Sequence, residues 1–189
     1  MGAVLMEYLG DEPLTLDDVM AQCRLDDASE LERELIETTW IPAARQAAET
    51  RTGSAIRPGV YRERLASFPV GHFALALGQV NKIRSVEWRS ADGAVGELED
   101  SAFELIHMGN ESLIASSSDA AWPLAAAVTL TYEAGIDIAR FPSVRHWLLL
   151  TVGWAYEQRE LYNVGQAIES MPTDYTDSLL APIRVPPRF

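Results

Sequence analysis

Several residue types that often carry chemistry are scarce in this chain of 189 residues. It has one cysteine, Cys23, one lysine, Lys82, and three histidines. A single cysteine excludes a disulfide within the chain and is compatible with a reducing compartment. Cys23 lies in a segment with helical spacing, so we expect a small, half-buried apolar side chain there and not a nucleophile.

Long apolar runs and catalytic motifs are also missing. No stretch approaches the roughly 20 apolar residues of a membrane-spanning helix. The histidines, His72, His107 and His146, are far apart in the sequence and have no metal-ligand spacing. There is no phosphate-binding loop and no Gly-x-Ser-x-Gly segment. We therefore predict no catalytic, cofactor-binding or metal-binding residue, and no enzymatic activity.

Two acid pairs, Asp17/Asp18 and Asp26/Asp27, come nearest to a carboxylate site. A two-carboxylate hydrolase needs its acids to face each other across a cleft. Adjacent acids at a helix start have a simpler explanation, because they stabilise the positive end of the helix dipole. We assign both pairs to helix capping, and a carboxylate-dependent hydrolase is the least favoured function.

The charge of the chain is acidic and uneven. The formal net charge is −13, and residues 1–50 hold 12 acidic and 3 basic side chains. A surface of this sign repels phosphate backbones, which disfavours ordinary nucleic-acid binding. The acids predict either a solvated helical face or, as an alternative function, a protein that mimics DNA and neutralises a basic nuclease or toxin.

The hydrophobic pattern runs from helix to β region to helix. Apolar residues recur at helical spacing over about residues 15–53 and 143–162, whereas about residues 60–133 alternate with a period of two. Thr15 predicts the first helix start, and Gly53 the end of the front helices. Pro42 predicts a kink or a fresh start between them.

Tight turns separate the predicted strands. Asp92-Gly93 and residues 108–111 are hairpin signals, because glycine accepts the positive φ of such turns. The predicted strands are residues 60–68, 72–77, 82–89, 103–107, 112–115 and 126–132. Short strands joined by turns pair antiparallel, since parallel strands need long crossovers. Four tryptophans follow the strand or helix period and are predicted core residues: Trp88, Trp122, Trp147 and Trp154.

These patterns predict an α+β fold. We expect a helical bundle of N-terminal helices plus one long C-terminal helix, with a central antiparallel β-hairpin-rich insertion and an extended C-terminal tail. We predict a single domain over residues 1–180. Residues 181–189 form the predicted arm, which is punctuated by prolines and therefore extended.

Segments along almost the whole chain share their order with a known family. They are residues 14–19, 43–53, 61–69, 83–86 with 92–93, 122–135, 156–160 and 179–184. Together they resemble the head–tail connector, or head-completion (adaptor), proteins of tailed bacteriophages. Pro42 in the front helices and a long hairpin region over residues 94–118 depart from that pattern.

The resemblance implies a structural virion protein with no reaction and no cofactor. Such a protein forms a homo-oligomeric ring, twelve-fold by resemblance, below the portal protein. The ring extends the DNA channel and provides the docking platform for a tail-side stopper or tail-terminator protein. DNA passes through without specific binding, and no membrane is involved. The implied location is the host cytoplasm during assembly and the head–tail interface of the virion afterwards.

The C-terminal arm is the candidate portal-binding segment. An extended segment with few backbone hydrogen bonds of its own can add to a partner's surface. Phe189 would be its apolar anchor, and Arg184 and Arg188 would pair with acids. The predicted portal-binding residues are Arg184, Val185, Pro186, Pro187, Arg188 and Phe189. The alternative for this segment is a frayed chain end.

Overall fold

The computed structural model describes residues 2–117, 121–158 and 173–186. The chain divides into a sheet unit, Met1–Asp11, Gly53–Ile136 and Ile183–Phe189, and a helical unit, Glu12–Thr52 and Asp137–Pro182. The α+β class and the antiparallel pairing are confirmed. The arrangement of the helices as one bundle and the single domain over residues 1–180 stay predictions.

The helical unit begins with α1 (Leu16–Cys23) and α2 (Glu30–Leu35). Thr15 starts α1 with a capping box, in which its hydroxyl accepts from the Asp18 amide and the Asp18 carboxylate accepts from the Thr15 amide. Ser29 caps α2 by accepting from the amide of Glu32. The predicted start at Thr15 and the use of Asp18 in helix capping are confirmed.

Pro42 lies in a helical run that continues without a break from Glu30 to Thr52, so the predicted fresh start is wrong and the alternative of a kink stays a prediction. A π-helical segment, Ile36–Trp40, leads into α3 (Ile41–Thr52), of which Pro42 is the second residue. The amide of Ile41 donates to the carbonyl of Ile36, five residues back, so the helical register changes immediately before the proline. This suits a residue that has no N–H to give to the preceding turn. Gly53 follows α3 with a φ of +69° and is the predicted left-handed end.

The described residues of this unit also form α4 (Pro142–Glu157) and α5 (Thr173–Leu179). Helix α4 packs against α1, α3 and α5. Trp147 is buried as predicted, but the prediction for Trp154 is wrong, because 36% of that residue is exposed. Helix α4 ends at Glu157, with Gln158 already non-helical, so the predicted helix to about residue 162 is too long; residues 159–162 themselves lie outside the described residues. No pattern predicted α5, whose residues include few strong helix formers.

The described residues of the sheet unit form eight strands in two antiparallel sheets. They are β1 (Val4–Tyr8), β2 (Gly59–Leu65), β3 (Phe73–Ala74), β4 (Val80–Arg89), β5 (Val95–Glu97), β6 (Phe103–Met108), β7 (Glu111–Ser116) and β8 (Ala127–Ala134). The five-stranded sheet has the order β1-β2-β8-β4-β5, and the three-stranded sheet has the order β3-β7-β6. Gly93 and Gly109 have φ of 91° and 61° in the two predicted hairpin turns, which are confirmed.

One face of the five-stranded sheet forms the core with the small sheet. Leu130 and Tyr132 of β8 pack in one buried cluster with Phe73 and Ile114 of the small sheet. Glu63, 4% exposed, is the charged residue in this interior. Its carboxylate accepts from the Tyr132 hydroxyl at 3.0 Å and from the Ala76 amide at 2.8 Å, so the buried charge is solvated by donors.

One predicted strand is too long, and two strands, β1 and β5, were not among the predicted ones. Only Phe73–Ala74 of the predicted strand over residues 72–77 is a strand. Strand β1 was not predicted, and none of its residues is buried. A strand with no buried face has no apolar–polar alternation to reveal it.

Candidate partner-binding surfaces

The three histidines lie in separate parts of the structure. His72 precedes β3, His107 lies in β6 and His146 lies in α4, and all three are exposed. No group of three or more possible metal-ligating side chains occurs within residues 2–117, 121–158 and 173–186. No helix in that part of the chain is long and apolar enough to cross a bilayer.

Asp18 acts within the helical unit. Burial raises the pKa of its carboxyl, but hydrogen bonds from Thr15 and the guanidinium of Arg145 outweigh burial and lower the pKa overall. The Arg145 Nη2–Asp18 Oδ1 distance is 2.6 Å. Asp18 therefore joins the start of α1 to α4 and is not poised as a general acid.

Cys23 is half-buried, as predicted. Burial and the nearby charge of Glu157 both raise the pKa of its thiol. Because the thiolate is the nucleophilic form of cysteine, this environment keeps Cys23 unreactive.

The candidate portal-binding segment begins on the sheet unit. Ala181–Ile183 forms a 3-10 helix, where an extended arm was expected, and Ile183 is fully buried. The Ser54 hydroxyl donates to the Ile183 carbonyl at 2.5 Å, and the Asn110 amide donates to the Arg184 carbonyl at 3.0 Å. The segment is thus bonded to two loops of the sheet unit at its start.

Val185 packs closely against backbone. A Cβ built on Gly78 would lie 2.6 Å from Val185 Cγ2, 2.6 Å from the Asn110 carbonyl oxygen and 2.7 Å from Ser54 Oγ. Gly78 is therefore required to let the segment approach. Arg184 and Pro186 remain exposed, while Pro187, Arg188 and Phe189 lie outside the described residues.

The five-stranded sheet has an open face opposite its core. Strand register places Arg62 opposite Thr131 and Arg64 opposite Thr129, while the alternate residues of β8 are buried on the other face. Lys82 and Arg89 of β4 lie on the same open face, opposite Glu133 and Ala127 of β8. The two-residue alternation around residue 62 was visible in the sequence, but it did not show which face stays uncovered.

Strand β1 and helix α2 each expose at least two large apolar side chains. In β1, Val4 is 63% and Met6 is 48% exposed; in α2, Leu31 is 80% and Leu35 is 39% exposed. Neither element contains a buried residue. Exposed apolar side chains next to charges are typical of protein-binding surfaces. Sequence reasoning missed both surfaces, because apolar residues at strand or helix spacing predict burial by default.

Solved structures with a similar fold exist, although the sequence matches no family model and no curated protein. A chain from the virion of the native gene transfer agent (GTA) particle has a TM-score of 0.76 at 16% identity, over 100% of this chain and 98% of that chain. A chain from the neck of the empty GTA particle, computed with C6 symmetry, has a TM-score of 0.75 at 15% identity, with the same coverage.

A chain from the neck of the native particle, computed with C12 symmetry, has a TM-score of 0.67 at 18% identity, over 98% of this chain and 97% of that chain. The similarity extends over both units, from one end of the chain to the other. It confirms, at the level of the fold, the resemblance to head–tail connector proteins: this chain has the fold of chains from the neck and virion of GTA particles.

Proposed function

We propose that this protein is a structural head–tail connector, or adaptor, which forms a homo-oligomeric ring below the portal of a tailed, phage-like particle. The observation that carries the proposal is the match of the whole fold to neck chains. Those necks were computed with C6 and C12 symmetry, which supports a closed ring built from repeated head-to-tail contacts. We expect twelve copies, and no reaction or cofactor.

In this proposal the ring extends the DNA channel and provides the docking platform for a tail-side stopper or tail-terminator protein. Residues 1–180 act as a single connector domain whose helices form a bundle. The helical unit carries 16 acidic and 7 basic residues, a net charge of −9, and the sheet unit carries 12 and 8, a net charge of −4. An acidic wall would keep DNA from adhering during packaging and ejection. A reconstruction whose lumen is lined mainly by arginines would contradict the acidic wall.

The C-terminal segment, Arg184 to Phe189, is the proposed portal contact. The hydrogen bonds at Ile183 and Arg184 fix the point from which the chain continues toward its end. Val185 packs on the protein's own Gly53 and Gly78, so in this proposal it anchors the segment and the exposed residues around it meet the portal.

Separate variants distinguish anchoring from portal binding. Truncation after Pro186 removes Pro187, Arg188 and Phe189 but keeps the Val185 anchor, and Arg184→Glu reverses an exposed charge. Both should weaken binding to purified portal protein by at least about tenfold, because buried anchors and charge pairs dominate such contacts. The free energy of unfolding should stay unchanged in the truncated chain. Arg140→Glu, an exposed charge reversal elsewhere, is the matched control. Unchanged portal binding by the truncated chain would remove this contact from the proposal.

Light scattering of the protein alone and with the portal protein of the same particle tests the ring. A closed ring that forms with the portal supports the connector. A persistent monomer that instead inhibits a basic nuclease would contradict it and favour the acidic DNA mimic.

A further inference from the structure

Two exposed patches of this chain have complementary composition. The edge patch consists of Val4 and Met6 on β1 with Arg62 and Arg64 on β2, which together line one concave surface. The helix patch consists of Glu30, Leu31, Glu34 and Leu35 on α2. Each combines two apolar side chains with two like charges, and the charges of the two patches are opposite.

The edge patch exposes apolar side chains and contains arginines without an acidic partner among the described residues. Val4 is 63% and Met6 is 48% exposed, and Val4 lies directly opposite Arg62 in the sheet. Neither Arg62 nor Arg64 has an acidic partner among the described residues. Strand β1 is the outermost strand of its sheet, and an open strand edge with apolar side chains favours association with another chain.

The helix patch is equally uncovered. Helix α2 has no buried residue, and Leu31 and Leu35 are 80% and 39% exposed. Glu30 with Glu34 and Leu31 with Leu35 are pairs four residues apart, so each pair lies along one side of the helix. Glu30 and Glu34 are exposed, and no basic side chain of the described chain pairs with either.

Net charge restricts which surfaces can join copies of this chain. Copies with a net charge of −13 repel one another, so a stable contact between them must bring opposite charges together locally. Within the described residues, six basic side chains make no ion pair, hydrogen bond or ring contact. They are Arg24, Arg62, Arg64, Lys82, Arg89 and Arg140.

Arg62, Arg64, Lys82 and Arg89 lie on the open face of the five-stranded sheet. Of the six, Arg62 and Arg64 line the concave surface that also contains the exposed apolar side chains of β1. Helix α2 exposes Leu31 and Leu35 beside Glu30 and Glu34, which have no basic partner among the described residues. Charge complementarity therefore selects a second copy of this chain as the occupant of the edge patch.

We propose that the edge patch of one protomer binds the helix patch of the next protomer, and that this heterologous contact, repeated around the axis, closes the ring. The inference rests on the proposed function, since it names the contact that the ring requires. Glutamates of α2 pair with Arg62 and Arg64, while Leu31 and Leu35 cover Val4 and Met6. The contact also places both arginines between subunits and away from the DNA channel.

Charge reversal with rescue tests the contact. Arg62→Glu/Arg64→Glu and Glu30→Arg/Glu34→Arg each set like charges against each other. Each double variant should raise the protein concentration needed for half-maximal ring assembly by at least about tenfold. The quadruple variant restores opposite charges with the signs exchanged and should assemble again. An equimolar mixture of the two double variants should also assemble, because an alternating ring pairs opposite charges at every contact.

The matched control is Arg24→Glu/Arg140→Glu, which makes the same change in net charge as Arg62→Glu/Arg64→Glu on exposed arginines of the helical unit outside the two patches. It should assemble like the wild type. Circular dichroism melts of all variants show whether each remains folded, and all substituted side chains lie at least partly exposed.

The outcomes separate this contact from the proposed function. A wild type that forms no ring with its portal overturns the connector function and the contact with it. If the wild type forms rings and the double variants do so equally well, or if the quadruple variant fails like the doubles, the contact is wrong and the function stands. Normal assembly by Arg62→Glu/Arg64→Glu with lost retention of double-stranded DNA would assign the arginines to DNA and would also overturn the contact.

Discussion

Arg45 is the buried charge that most affects the stability of the helical unit. It lies on α3 and is 2% exposed. Its Nε and Nη2 donate to the two carboxylate oxygens of Glu12 at 2.7 and 3.2 Å, and its Nη1 donates to Glu49 at 2.6 Å. Arg45→Met keeps much of the apolar volume but removes the charge that both carboxylates face.

The expected loss is large because the carboxylates lose their counterion in a poorly hydrated place. Removing one partner of a buried ion pair costs about 3–5 kcal/mol. The side chains of Glu12 and Glu49 are 17% and 19% exposed, so water solvates them in part and we expect the lower end, about 3 kcal/mol. Urea unfolding of the helical unit, followed by circular dichroism, measures this free energy.

Arg145→Met is the control in the same unit. Arg145 also contacts a carboxylate, that of Asp18, but the two side chains are 42% and 26% exposed. Such a pair is worth at most about 1 kcal/mol. A loss for Arg45→Met no greater than that of the control would refute the reasoning. The triple variant Glu12→Gln/Arg45→Met/Glu49→Gln should recover part of the loss, because it leaves no unpaired charge.

Three further predictions concern other contacts. Tyr132→Phe should cost about 1.5–3 kcal/mol in urea unfolding of the sheet unit, because it removes a donor from a buried carboxylate; a cost below about 0.5 kcal/mol would show that the carboxylate does not need it. The stability difference between wild type and Asp18→Asn should be constant above about pH 5 and shrink only as the pH falls below the unfolded-state pKa of about 3.9 toward the lowered folded-state pKa, because protonation of the folded state removes the stability that the lowered pKa provides; a difference that grows on acidification would contradict this. Gly78→Ala and Val185→Ala should both speed tryptic cleavage after Arg184, since each loosens the C-terminal segment; equal cleavage rates would show that the segment does not depend on this packing.

Much of the fold was predictable because local signals agree with tertiary structure. Thr15 and Asp18 form a capping box, and Gly53 and Gly93 take the positive φ that their positions predicted. These signals depend on a few neighbouring residues, so a single sequence contains them. The strand around Arg62 was predicted for the same reason, because one of its faces is buried and the other is not.

The errors came where burial depends on partners distant in sequence. Strand β1 has no buried face, so no alternation of apolar and polar residues revealed it. Trp154 lies at the edge of the buried stripe of α4, so the helical period predicted its burial wrongly. Ile183 is buried by contacts with residues more than a hundred positions earlier, such as Ser54. No local pattern predicts which apolar side chains stay exposed after the chain folds. The edge patch and the helix patch could therefore be identified only in the structure.

The central claim is that this chain builds a closed ring in the neck of a particle. Cryo-electron microscopy of the protein assembled with its portal tests that claim most directly. The account predicts one ring of this protein below the portal, with twelve copies of the 20.9 kDa chain, about 250 kDa in all, and β1 of each copy facing α2 of the next. A portal with no added ring, or density for this protein only as separate monomers, would contradict the account.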